Sequence, residues 1–172
     1  ERRAENIKTL KRWENLLNQG LKVIAVSGSD IHKLEPYKED YGRTYVWAKS
    51  KTREGIMEGL KKGKVYITSG PKINFQLMTD KGLFVSLGEE LEVDCNTSIK
   101  LLINIKNKKP QKKLHIELIK NGLVYNSCDS FLEHIEFNWP DKVTKNCWYY
   151  LRLLDERKCI VGLTNPIFII CY

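Results

Sequence analysis

Apolar positions in the first seventy residues fall first at helical spacing and then in unbroken runs. Ile7, Leu10, Trp13 and Leu17 recur every three or four residues, which predicts a helix with one apolar face. Gly20 stands where a left-handed residue would end it. Leu21-Lys22-Val23-Ile24-Ala25-Val26 is almost wholly apolar. A strand apolar on both faces is expected in a parallel sheet covered on both sides. A polar stretch follows, then a strand around Thr44–Ala48 and a short helix. Ser50 or Thr52 can cap that helix, Ile56 and Leu60 supply its stripe, and Gly63 stops it. Lys64–Thr68 reads as a third strand, closed by Ser69-Gly70-Pro71. The pattern is α/β.

From Ile73 onward helical spacing gives way to short alternating runs separated by turn signals. Asp80-Lys81-Gly82 predicts one hairpin, and Asn121-Gly122 predicts another between Leu114–Lys120 and Leu123–Asn126. Ile99–Ile105, His134–Trp139, Trp148–Leu154 and Ile167–Cys171 are further strands. Six or more such strands in this length predict an antiparallel β-sandwich. Trp139, Trp148, Tyr149 and Tyr150 fill its core on this reading, rather than forming an exposed binding surface. The fold class expected is α+β: a partial α/β segment over residues 1–69, then a sandwich over 70–172.

Composition changes this picture little. The 172 residues suit one domain or two small ones, and no run approaches the ~18 apolar residues of a membrane span. With 29 Lys/Arg against 21 Asp/Glu, the net charge is +8. The densest cluster, Lys106 to Lys113, holds five lysines and no acid, and reads as a solvated loop between two strands. Lacking interleaved arginines or aromatics, it ranks nucleic acid last among partners. The five cysteines, Cys95, Cys128, Cys147, Cys159 and Cys171, form no C-x-x-C pair. They read as free, mostly buried thiols in a reducing compartment, so the cytoplasm is the expected location.

Candidate chemistry sits in Ser27-Gly28-Ser29-Asp30-Ile31-His32, just past the apolar run. Positions two apart in extended chain project to one side, so Asp30 and His32 can converge on one point. A carboxylate and an imidazole so placed, leaving a parallel strand, suit a metal site at the top of an α/β barrel. Gly28 would allow close approach of a strand or ligand. Glu35, Glu39 and Asp40 read as solvated loop acids, and His115 and His134 as surface residues.

Gly28-Ser29-Asp30-Ile31-His32 resembles the last metal-binding motif of the PHP (polymerase and histidinol phosphatase) superfamily. Trp13 to Gly20 resembles the helix and glycine before that motif in CehA-type PHP hydrolases. Thr52-Arg53-Glu54-Gly55-Ile56 and Gly63-Lys64-Val65-Tyr66-Ile67-Thr68-Ser69-Gly70-Pro71 resemble that group's following helix and strand, and Thr164-Asn165-Pro166-Ile167-Phe168 the close of its appended β domain. The resemblance implies the C-terminal part of a PHP-type barrel, then the sandwich. Asp30 and His32 would be ligands of a multinuclear centre of zinc, manganese or iron, serving hydrolysis of a small phosphoester or related ester. The family's other ligands, an early His-x-His among them, are not in this sequence. A chain opening on Glu1-Arg2-Arg3 with no methionine is therefore expected to be part of a longer enzyme, inactive without its N-terminal barrel strands. The alternative is a sandwich that binds a partner or a second copy of itself.

Overall fold

The computed structural model describes residues 2–29, 41–107 and 112–172. Helix α1 spans Arg2–Asn18, and Gly20 at φ 82° ends it in the left-handed region, as its spacing predicts. Leu10, Trp13 and Leu17 are buried and Ile7 is exposed. Strand β1 (Arg43–Val46), helix α2 (Arg53–Lys61) and strand β2 (Val65–Thr68) follow. Ten strands complete the chain: β3 (Lys72–Thr79), β4 (Phe84–Ser86), β5 (Glu90–Val93), β6 (Ser98–Lys106), β7 (Leu114–Lys120), β8 (Leu123–Ser130), β9 (His134–Lys142), β10 (Cys147–Leu154), β11 (Ile160–Thr164) and β12 (Ile167–Cys171). No helix among the described residues is long and apolar enough to cross a membrane.

Two sheets form. The larger runs β1-β2-β11-β10-β12-β5, with β7 on the other edge of β10 and β8 beyond β7; the smaller runs β4-β3-β6-β9. Pairing is antiparallel except between β12 and β5. Strict alternation sends Ile73, Phe75 and Leu77 of β3 and Ile99, Leu101, Ile103 and Ile105 of β6 into the space between the sheets. They meet Tyr149, Leu151 and Leu153 of β10. The other face of β10, Trp148 and Tyr150, meets Leu10, Trp13 and Leu17 of α1. The Tyr150 hydroxyl donates to the Glu14 carboxylate, so both buried polar groups are satisfied. A helix thus lies on a sheet that lies on a second sheet. Trp148, Tyr149 and Tyr150 are core residues, as their pattern predicts, and Trp139 is half-buried.

One buried polar cluster ties the sheets together. Asp141 of β9 accepts from Lys120 at 2.6 Å, from the Tyr149 hydroxyl at 2.6 Å and from the Tyr125 hydroxyl at 2.7 Å. Burial alone would raise its pKa, but these donors outweigh it and hold the carboxyl below the usual range. The same carboxylate and desolvation push Tyr125 up to about 12. At the β7–β8 turn, Asn121 (φ 51°) and Gly122 (φ 83°) both take the positive φ that the hairpin requires.

Four expectations are corrected. Leu21–Val26 is no parallel strand: residues 21–29 belong to neither sheet, and the Val23 amide turns back to the Leu21 carbonyl at 2.9 Å. β1 and β2 pair antiparallel with each other, and β2 pairs with β11, so these strands extend the large sheet. In α2 the buried face is Gly55 and Gly59, while Ile56 is exposed. A Cβ at Gly59 would strike the Trp47 carbonyl and Val46, so helix and strand meet backbone to backbone. Lastly, Cys95 and Cys171 form a disulfide that ties the chain beyond β5 to the end of β12, and of the three free thiols only Cys147 is fully buried. A disulfide belongs to an oxidising compartment, so the free-thiol ground for a cytoplasmic location falls away for this pair.

Candidate functional site

The segment leading to the predicted ligands is held by side chains in place of a strand neighbour. The Trp13 indole donates to the Val23 carbonyl at 2.7 Å. The Asn165 side chain accepts from the Ala25 amide at 2.8 Å and donates to the Ala25 carbonyl at 2.9 Å. The Thr44 hydroxyl accepts from the Ser27 amide at 2.8 Å and donates to the Ser27 carbonyl at 3.3 Å. Residues 23, 25 and 27 present their backbone groups to one side, as extended chain must. On that edge amide, hydroxyl and indole replace a ladder, which satisfies the polar groups without a strand.

The opposite edge of the segment is open. Among the described residues the backbone groups of Ile24 and Val26 have no partner. Several side chains are uncovered too, Leu21, Val23 and Val26 being 50%, 40% and 60% exposed, whereas Ala25 packs against the α1 cluster and Ile24 is half-buried. Trp47 and Met57 nearby in sequence to β1 and α2 are also exposed. Gly28 approaches nothing, since a Cβ there would meet no atom within 4 Å. The close approach expected at Gly28 occurs instead at Gly42, where a Cβ would collide with the Ser27 side chain. Ser27 therefore meets both Gly42 and Thr44, which brings together the two ends of the chain flanking residues 30–40.

Asp30 and His32, with Glu35, Glu39 and Asp40, lie outside the described residues. Their neighbours Ser27 and Ser29 supply only hydroxyls. No group of three His, Cys, Asp or Glu among the described residues could hold a metal ion. The donor set on the described chain does not by itself fit a metal centre; Asp30 and His32 would need further ligands from elsewhere. His115 and His134 are far along the chain in β7 and β9 and are engaged on the surface. His115 Nδ1 lies 2.6 Å from Asp129, and His134 lies 3.6 Å from Glu133. Of the lysine cluster, Lys106 ends β6, Lys112 and Lys113 precede β7, and Lys108 and Lys109 lie outside the described residues.

Sequence reasoning missed Asn165, Thr44 and Gly42 as the residues that fix this segment. Asn165 is 1% exposed and also donates to the Val65 carbonyl at 3.1 Å, so one side chain joins residues 21–29 to the sheet. An asparagine directly before Pro166, at the corner between β11 and β12, was the available signal.

A family model described as a protein of unknown function (DUF3604) matches residues 15–90. That range holds the end of α1, the open segment, residues 30–40, and the chain through β4. No curated protein matches the chain.

Proposed function

We propose that this chain is part of a PHP-type metal-dependent hydrolase, in which Asp30 and His32 are two ligands of a divalent centre of zinc, manganese or iron. The open backbone edge at Ile24 and Val26 and the exposed Leu21, Val23 and Val26 support the reading best. An apolar segment with one backbone edge satisfied by side chains and the other free suits a barrel strand whose neighbours come from elsewhere in a longer chain. Asp30 directly follows that segment, at the carboxyl end where α/β folds place their chemistry. When bound, such a metal acidifies a water toward hydroxide for attack on a phosphoester or related ester. The role of the residues described is positional: Thr44 and Asn165 fix the backbone at Ser27 and Ala25, within five residues of Asp30 in sequence.

The test is hydrolysis of a chromogenic phosphomonoester by the longest natural chain containing these residues, loaded with zinc or manganese. Asp30→Ala and His32→Ala should each lower the metal-dependent rate by about a hundredfold or more, and lower bound metal, with thermal unfolding little changed. Full activity and full metal content in both variants would remove these residues from the site.

A further inference from the structure

We propose that a second site, a cleft at one end of the sandwich, binds a small molecule carrying a carboxylate or phosphate. It does not rest on the metal reading. The cleft is formed where β1, the β2–β3 turn, the start of β7 and the β10–β11 turn meet. Its volume is about 630 Å³, within the range of small-molecule pockets.

Strand alternation keeps it apart from residues 21–29. Thr44 turns to Ser27, whereas Arg43 and Tyr45 on either side of it line the cleft. Tyr45 is a preset wall: its ring stacks on Tyr66 at 5.1 Å with a 14° angle between planes. Pro71 and Val161 extend the apolar surface. Four cations line the cleft, Arg43, Lys112, Lys113 and Arg157, against two acids, Asp155 and Glu156.

The commitments of these charges decide the sign. Asp155 is spent on its own turn, accepting from the Arg157 amide at 3.0 Å and the Cys159 amide at 2.7 Å. Lys113 is paired with Asp129 at 2.6 Å. Lys112 and Arg157 have no charged partner among the described residues, and neither has Glu156, so two cations against one acid leave the cleft net positive. Ser69 gives its hydroxyl only a long 3.5 Å contact to the Val161 carbonyl, so it can turn to a ligand. At Gly70 a Cβ would stand in open space, and the amide there is held by the Thr68 hydroxyl at 3.0 Å, so the turn is fixed and uncrowded. Two uncommitted cations, a hydroxyl and a fixed aromatic wall suit an anionic head on a compact apolar body.

The experiment is a titration of the ¹⁵N-labelled chain at low ionic strength, with inorganic phosphate in one arm and benzoate in the other. The amide resonances of Ser69, Gly70 and Val161 are followed. Saturating shifts at these amides in at least one arm are expected, and the arm that saturates names the head group. Lys112→Ala combined with Arg157→Ala should raise the midpoint about tenfold, since each is a charged hydrogen-bond donor. Lys49→Ala combined with Lys51→Ala, removing two lysines outside the cleft, should leave the midpoint unchanged. Shifts that do not saturate in either arm, or a midpoint that Lys112→Ala with Arg157→Ala does not move, would overturn the proposal.

Discussion

Leu21–Val26 and Cys147–Leu154 look alike as sequence, each nearly continuous in apolar residues, and they meet opposite fates. β10 has β7 along one edge and β12 and β11 in succession along the other. Its odd positions are covered by the small sheet, and Trp148 and Tyr150 among its even positions by α1. Residues 21–29 have side chains of Trp13, Asn165 and Thr44 along one edge, nothing described along the other, and exposed valines. Apolarity on both faces states what a strand can tolerate, not what it receives. Burial needs partners on two edges and two faces, and of these two segments β10 alone has all four among the described residues.

That contrast can be broken by substitution. The largest effect is expected at Leu151, fully buried between the sheets. Leu151→Ala should cost about 3–4 kcal/mol, read from urea unfolding, because it removes transfer energy and leaves a cavity. A loss below about 1 kcal/mol would mean that the two layers are not packed as described.

Asn165→Ala comes next, at about 2 kcal/mol, because it strips the Ala25 amide and carbonyl and the Val65 carbonyl of a partner. Its signature is local: amide exchange at Ala25 should accelerate far more than exchange within β10. Equal acceleration in both would show that Asn165 is not the specific tether of the open segment.

Acid probes the sandwich alone. Asp141 titrates below its ordinary range when folded, so its stabilisation is complete above the unfolded value of about 3.9 and is lost as pH falls through the folded value. Wild-type stability should therefore drop below about pH 4 by more than that of Asp141→Asn, which should itself be weaker by about 1–2 kcal/mol at pH 7. Parallel pH curves for the two would remove Asp141 from the acid response.

The smallest effect belongs to the open segment. Val26→Ser should shift stability of this chain by no more than about 0.5 kcal/mol, since Val26 already faces solvent. In a longer chain that supplies a neighbouring strand, the same substitution should cost more than about 1 kcal/mol. Equal values in the two chains would argue against a strand packing there.

Much of this was legible locally. The spacing of Leu10, Trp13 and Leu17, the cap at Thr52, whose hydroxyl accepts from the Gly55 amide at 3.2 Å, and the Asn121-Gly122 turn all read directly from adjacent residues. They do so because helix periodicity, capping and turn geometry are settled within a few positions. The hairpin at Asp80-Lys81-Gly82 implies β4, but the short strands β5 and β11 carry no long alternation and have no such sign. Asp30 and His32 were marked by their spacing and by resemblance, while the residues that hold the chain before them were not.

What the sequence determined by itself is the set of elements whose cause is local: two helices with their stops, the alternating strands after Ile73, and the hairpins at positive-φ residues. Only the tertiary structure decided which apolar run would be enclosed and that β1 and β2 would join the sandwich sheet. It also decided that Cys95 would meet Cys171 and that charges from three separate segments would share one cleft. Each of these depends on residues far apart in the chain, and no spacing between neighbours encodes the distance across a fold.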